Sequence, residues 1–355
     1  MDGALHDTTP NVRKAARLRV ALATVARLDR ARCTTIALAA IAFACATVSF
    51  FVGPSGMSMG QIAGGLFSDH GLPSIIAQDV RLPRALLALV VGGALGASGA
   101  ALQGLFRNPL AEPGVTGVTS SAGFGAVIAI YFGLTAVSAA LLPAFAIAGA
   151  LAAAAILYAL SRAGASVMAL ILAGVAIASL ATALTALALS FAPNPYAMSE
   201  MVLWMLGSLK DRTMSDLYFA APLTLAGIAL LMSAARGLDA LTLGEEAAHS
   251  LGINVHSVRR KVVVGVALAT GAATAAAGAV SFVGLVVPHI LRPFYGYEPA
   301  RLIVPSALGG AALVAAADVA VRVLAPDGQL LLGVLTAMLG APFFIWLILQ
   351  MRREP

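Results

Sequence analysis

Long apolar runs separated by short polar breaks fill most of this 355-residue chain. Helical runs of about 18–25 residues match the hydrocarbon thickness of a bilayer. They place spans at 34–53, 82–106, 114–133, 138–161, 167–191, 216–235, 260–282, 285–296, 302–322 and 330–350. The eighth run is too short to cross alone. Barrel strands alternate apolar and polar residues one by one, and these Ala/Leu/Gly blocks do not alternate. The pattern predicts an all-α polytopic membrane protein of about ten transmembrane helices. One domain covers 34–350, between a basic tail at 1–33 and a short tail at 351–355.

The run from Arg81 carries the most detail. Gly92, Gly96, Ala100 and Gly104 recur at every fourth position. That spacing draws one ridge of small residues along a helix, the seam by which membrane helices approach backbone to backbone. The run then breaks at Asn108-Pro109-Leu110-Ala111-Glu112-Pro113-Gly114. Pro109 disfavours helix at the residue before it, so a helix stop is expected. Polar backbone at the end of a span also needs protein or water to satisfy it, which makes the break a candidate border of a pathway.

Composition agrees with the pattern. Hydrophobic residues make up 60% of the chain, charged ones 11%, and mean hydropathy is +0.93; soluble domains carry about 25% charge. The net charge of +6 does not point to nucleic acid, because its distribution is that of a membrane protein. Seven of the 22 basic residues (Arg13, Lys14, Arg17, Arg19, Arg27, Arg30, Arg32) directly precede the first span. Such clusters stay in the cytoplasm. The run Thr34–Val52 is long and lacks a small-x-small cleavage site, which argues against a signal peptide. Ten spans return both termini to one side, putting seventeen of the 22 basic residues there and leaving Arg81, Arg84, Lys210, Arg212 and Arg322 outside. The bias supports cytoplasmic termini. It also makes 53–79 an external loop with a weakly amphipathic stretch at Met57–Phe67, and 193–215 a second external segment. Residues 237–259 become a cytoplasmic loop with short helix-like pieces around Gly244 and Gly252. Glu245 and Glu246 stand in the first turn of the second piece, where they complement the helix dipole.

Several chemistries are missing. No G-x-x-x-x-G-K-[ST] phosphate loop or H-E-x-x-H pair occurs. His6, His70, His249, His256 and His289 are scattered. Cys33 and Cys45 cannot close a zinc site. No catalytic residue, metal site or resident cofactor is expected. Asp318 is the clearest intramembrane acid, and Arg322 one turn later offers an i,i+4 partner. An ion-coupled carrier would need more buried acids, so the energy is expected from a partner.

The stretch RLPRALLALVVGGALGASGAALQGLFRNPLAEPGVTG at 81–117 closely resembles the signature of the FecCD-type permeases. These are the membrane subunits of type II ABC importers for vitamin B12, iron-siderophores and heme in bacteria. The resemblance extends to Trp204-x-x-Gly207-Ser208-Leu209, to Leu243-Gly244-Glu245-Glu246-Ala247 with Leu251-Gly252, to Gly278–His289 and to Gly333–Phe344.

It implies a homodimer in the inner membrane, two cytoplasmic ATPase subunits that bind ATP and Mg, and a periplasmic binding protein. It also implies a path along the dimer axis. Gly244, Glu245, Glu246, Leu251 and Gly252 match the loop that couples to the ATPase. Arg81, Arg84 and Arg322 match periplasmic arginines that hold glutamates of the binding protein, a task suited to the bidentate guanidinium; snorkelling is the alternative for Arg84. Asn108, Pro109 and Leu110 lie at the implied cytoplasmic gate. The family's second constriction departs here, with Val167 and Met168 where the vitamin B12 member has small hydroxyl residues.

The external stretch Phe191–Ala197, followed by Trp204–Arg212, most resembles the heme-importing branch. An Ala/Leu/Met-rich passage with Lys210 and Arg212 near its outer end suits an apolar plate bearing carboxylates. Ferric siderophores and vitamin B12 share the scaffold and stay open. An ion-coupled secondary transporter and a structural scaffold are the readings from other classes.

Overall fold

The computed structural model describes residues 10–351 except Tyr297, with side chains described over 29–350 other than that residue. Most of the two expected tails, including the side chains of Arg13, Lys14, Arg17, Arg19 and Arg27 and all of Arg352 and Arg353, lies outside the described residues.

The chain is helical throughout, with no strand among the described residues. In order it forms α1 (Pro10–Phe51), α2 (Met59–Gly65), α3 (Leu72–Ser74), α4 (Leu82–Phe106), α5 (Val118–Tyr131), α6 (Leu134–Val137), α7 (Leu141–Arg162) and α8 (Val167–Ser190). There follow α9 (Pro195–Met205), α10 (Met214–Thr242), α11 (Glu245–Ser250), α12 (Val255–Ala277), α13 (Val283–Leu291), α14 (Pro299–Leu324) and α15 (Leu332–Met351). Side-chain caps set several starts. Ser166 accepts from the Ala169 N–H, Asn194 from Ala197 and Asn254 from Ser257. Each satisfies a donor that a helix N-terminus leaves orphaned.

Eight helices among the described residues are long and apolar enough to cross a membrane; α5 and α13 are shorter. This corrects two expectations. The third predicted span, 114–133, begins instead with a 3-10 turn at Pro113–Thr116 and becomes α-helical only from Val118. Its cap, Gly117, packs against Gly174 and Ile177, well inside the 24-residue α8. Gly284, at the start of α13, lies against Gly99 and the Leu95 carbonyl, well inside α4. Both are half-helices that start within the bundle, and Pro113 touches Gly284 where they meet. Irregular backbone at that depth is tolerable because protein surrounds it. The expected external loop 53–79 is also shorter than predicted. Ser58 and Gln61 form a capping box that starts α2. From Leu72 the chain is continuously helical into α4 through a π-type segment at Ile75–Arg81.

α4 is the axis of the fold. In its spanning stretch 83% of residues are buried, against 17% in α1 and in α8, which therefore present their sides outward. α10, α12 and α14 pack round it in the main core. The predicted seam is used along its length. A Cβ on Gly92 would collide with the Gly310 carbonyl, one on Gly96 with the Ser306 carbonyl, and one on Gly104 with Pro299. Gly99 opens a second seam, towards α13, that the four-residue spacing does not contain.

Gly96→Ala should therefore cost about 1–3 kcal/mol, as overpacking of a fitted interface does. Gly93→Ala, where a Cβ meets only the Ala307 oxygen at 3.7 Å, should cost far less. Thermal unfolding of both variants in detergent measures the difference, and equal midpoints would contradict the seam.

Candidate functional site

The described helices put chemistry-bearing side chains at two ends of the bundle. At one end, α1 stops with its last carbonyls unpaired, and two arginines from elsewhere take them. Arg81 Nη1 donates to Phe50 O at 3.2 Å and Phe51 O at 2.5 Å, and its Nη2 reaches Ser55 Oγ at 2.5 Å. Arg322 Nη1 donates to Ser49 O at 2.8 Å and Val52 O at 2.6 Å, and its Nη2 to Ser49 Oγ at 2.6 Å. Cations suit a helix C-terminus, where both the carbonyls and the dipole favour them.

Asp318 joins the group. Arg84 grips it from α4 through Nε, at 3.0 Å from Oδ1 and 3.1 Å from Oδ2, and through Nη2, at 2.8 Å from Oδ1; Arg322 Nη2 also pairs with Oδ2 at 2.9 Å. The expected i,i+4 pair is present, and Arg84 adds a link between α4 and α14. Asp318 is fully buried and Arg81 is 5% exposed. The three arginines expected to be outward anchors are thus already engaged internally. A charge at a membrane boundary is most stable with carbonyl and carboxylate acceptors, and the ends of α1 and α14 supply them here.

The other external cations differ. Lys210 is exposed beside Gly328 in the α14–α15 connection. Arg212 is half-buried; burial lowers its pKa from the usual arginine value, while Asp216 and Asp211 oppose that shift. Its Nε is buried without a hydrogen-bond partner. Asp216 also accepts from the Thr213 N–H at 2.8 Å, capping α10. Arg212 is therefore a shielded cation, unlike the open one the sequence suggests.

At the opposite end the Asn108-Pro109 break is a built turn. Arg107 adopts a left-handed conformation, φ 49°, to end α4. The Asn108 N–H donates to Gln103 O, and Asn108 Oδ1 accepts from the Leu110 N–H at 2.9 Å. Beside it lies a cavity of about 200 Å³, lined among others by Gln103, Arg107, Asn108, Pro109, Thr242 and Arg292. Arg292 Nη2 donates to Gln103 Oε1 at 2.5 Å. Val167 and Met168 do not line this cavity: Val167 packs on the main core, and Met168 is 64% exposed. Within one chain the structure does not bring the two groups of expected gate residues together.

The predicted loop at 237–259 is shorter than expected, because α10 runs on to Thr242 and α12 starts at Val255; the connection holds one short helix in place of two, α11, between two glycines at positive φ, Gly244 at φ 102° and Gly252 at φ 76°. Glu245 and Glu246 occupy its first turn as expected. Ala248 is its buried anchor, while Glu246 and Leu251 are exposed. Glu245 pairs with Arg259 of α12 at 2.5 Å.

The family model for the FecCD transport family matches residues 38–350. The chain belongs to that family.

Three similar proteins bear this out. The hemin transport system permease protein HmuU of Yersinia pestis is 41% identical over 281 residues, 78% of this chain and 84% of that protein. The Fe(3+) dicitrate transport system permease protein FecD of Escherichia coli is 39% identical, covering 78% and 86%. The cobalamin import system permease protein BtuC of Halobacterium salinarum is 35% identical, covering 77% and 73%. A solved inward-facing structure assigned to the metal-chelate type of ABC transporter superposes with a TM-score of 0.80 at 30% identity, over 89% of this chain and 98% of that one. This protein is an ABC-importer permease of the FecCD type, a transport subunit to which ATPase subunits are separate chains.

In this FecCD permease the segment that sequence reasoning missed is the meeting of the half-helices. Glu112 faces the backbone N–H of Phe282, and its Oε1 lies over Gly114. Phe282, at φ 66°, is the left-handed residue that starts α13. The signal available was paired: Glu112-Pro113-Gly114 and Gly278–Phe282 each break an apolar run.

Asp318→Asn leaves two buried guanidiniums without their carboxylate. Removing one partner of a buried ion pair costs about 3–5 kcal/mol. Glu298→Gln, which breaks the half-exposed pair with Arg301, should cost about 1 kcal/mol or less. Detergent unfolding midpoints should separate the two clearly.

Proposed function

We propose that this chain is the homodimeric inner-membrane subunit of a heme importer, receiving heme from a periplasmic binding protein and passing it to the cytoplasm. Two ATPase subunits, binding ATP and Mg, supply the energy. The observation that carries the importer mechanism is α11: a short helix with an exposed acidic face, set between two left-handed glycines at one end of the bundle. Gly244, Glu245, Glu246, Leu251 and Gly252 form the contact with the ATPase in this reading. A rigid projecting corner of this kind can carry a rigid-body displacement from one subunit to another.

Orientation follows from charge. The end that carries α11 holds most of the basic residues, so it faces the cytoplasm together with both termini. The Arg81–Arg84–Arg322 group then faces outward. Three arginines against one aspartate leave it a net charge of +2. That excess suits an acidic docking lobe of a binding protein, whose carboxylates exchange with the internal acceptors now in place. Asn108, Pro109 and Leu110 border the inner gate, and Val167 and Met168 contribute to it across the dimer. Lys210, the open cation, contacts a cargo carboxylate first, and Arg212 supports it.

Heme is favoured over ferric chelates or cobalamin by the 41% identity to the hemin permease and by the apolar lining the sequence supplies. The ferric dicitrate relative at 39% keeps a siderophore-type chelate as the second reading. An ion-coupled mechanism is disfavoured because Asp318 is held by two arginines and is no free proton carrier.

The permease reconstituted with its ATPase and binding protein in liposomes should take up hemin only with ATP inside the ATPase-facing compartment. Ferric citrate and cobalamin should enter at least tenfold more slowly. Transport of either in preference to hemin would replace the cargo and leave the importer reading intact; hemin uptake driven by an ion gradient alone would remove the ATP-driven reading and leave the cargo.

A further inference from the structure

α11 has six residues. A helix that short does not hold itself together in water, because its nucleation cost outweighs the few bonds it forms. Its two glycine hinges are also unclamped: a Cβ on Gly244 or Gly252 would meet nothing within 4 Å. Two tethers therefore decide where α11 points. One is the apolar anchor Ala248, fully buried. The other is the ion pair from Glu245 to Arg259.

Arg259 does more than pair. It sits near the start of α12 with 7% exposure, and its second terminal nitrogen, Nη1, approaches Ser161 Oγ at 3.4 Å. Ser161 is itself 2% exposed and lies in the last turn of α7. A four-residue turn, 163–166, then leads to Val167 and Met168 at the start of α8. Apart from Thr116, whose hydroxyl donates to Pro113 O, the rest of the wall beside Arg259 is apolar, with Leu105, Phe106, Leu170 and Val266 among its residues. A guanidinium that lost Glu245 would find no replacement carboxylate there. The forked group is also the right shape for the task, since its separate donors hold two partners in fixed directions, where an ammonium acts as a single point charge.

We propose that Arg259 is the bracket through which movement of α11 reaches the α7–α8 corner, making it a positioning residue for Val167 and Met168. This rests on the reading that α11 contacts the ATPase. Any outward pull on α11 draws on Glu245, and Arg259 passes it to Ser161 because the guanidinium bridges both. A purely structural pair would show only as lost folding stability on removing a partner of the buried Arg259, whereas a bracket shows in the nucleotide-dependent movement, so the two roles differ in what they disturb.

The test uses the full assembly of permease dimer, ATPase and binding protein, in a background carrying Cys33→Ser and Cys45→Ser. Spin labels at Met168→Cys report the distance between the two subunits, with and without ATP plus vanadate. A separate preparation with Glu246→Cys reports cross-linking to the ATPase. The nucleotide-dependent distance change should fall at least fivefold in Arg259→Gln and about twofold in Ser161→Ala. Arg259→Lys should retain only part of it, and the exchanged pair Glu245→Arg with Arg259→Glu should recover part. Cross-linking at Glu246→Cys should persist in Arg259→Gln, Arg259→Lys and Ser161→Ala, none of which alters the contact itself. A full distance change in Arg259→Gln with the cross-link present would overturn the bracket and leave the coupling reading standing. Absence of the cross-link in the otherwise unaltered protein would overturn both. Should Arg259→Gln fail to assemble, Ser161→Ala decides alone, because it removes one hydroxyl and no charge: an undiminished change there overturns the proposal.

Discussion

The close approach of α4 to α14 and α13 is the constraint on which the other features depend. In a membrane the lipid is as apolar as the side chains, so helices gain little from hiding leucines and must gain from contact and polar bonding instead. Gly92, Gly96 and Gly99 bring α4 against the backbone carbonyls of Gly310, Ser306 and Gly284. With α4 held so tightly, the irregular segment after Asn108 is folded back against α13, and protein covers its backbone. A wider α4–α13 spacing would leave the start of each half-helix facing lipid with unpaired donors, which hydrocarbon does not permit.

The same helix pair fixes where charge can sit. Arg84 on α4 and Asp318 on α14 meet only because the two helices are so close, and Arg322 one turn beyond completes the group. Arg322 and Arg81 supply donors to the carbonyls at the end of α1, which has no basic residue in its own last turn. Three separate elements are thus tied at one end by a few short bonds. At the opposite end Arg107, Gly244 and Gly252, all at positive φ, make compact corners.

Much of the architecture was legible in the order of apolar and polar residues. The count of embedded helices, the small-residue seam, the acidic first turn of α11 and the Asp318–Arg322 pair are all local in sequence, set by spacing of three, four or eighteen-odd residues. The failures were equally consistent. The half-helix starting at Val118 looked like a full span because 114–133 carries no charged residue, and composition records hydrophobicity without recording depth. The start of the Leu72 helix was hidden by polar residues in the π-type segment, whose backbone is nonetheless bonded. What the sequence also did not display is that Arg81, Arg84 and Arg322 each hold carbonyl or carboxylate acceptors on a distant element.

The sequence by itself determined the solvent this protein lives in, the family to which it belongs and the places where helices must stop. Those properties follow from hydrophobicity, helical period and the conformational limits of proline, all of which act over a few residues. Only the tertiary structure decided which stops lie inside the membrane, which charges are spent internally, and that Arg259 stands between α11 and the α7–α8 corner. Residues 161, 245 and 259 come from three helices, and no local pattern encodes a meeting of side chains 14 and 98 positions apart. Such contacts exist only once the backbones have been packed, because it is the packing that removes water and leaves a guanidinium no other partner.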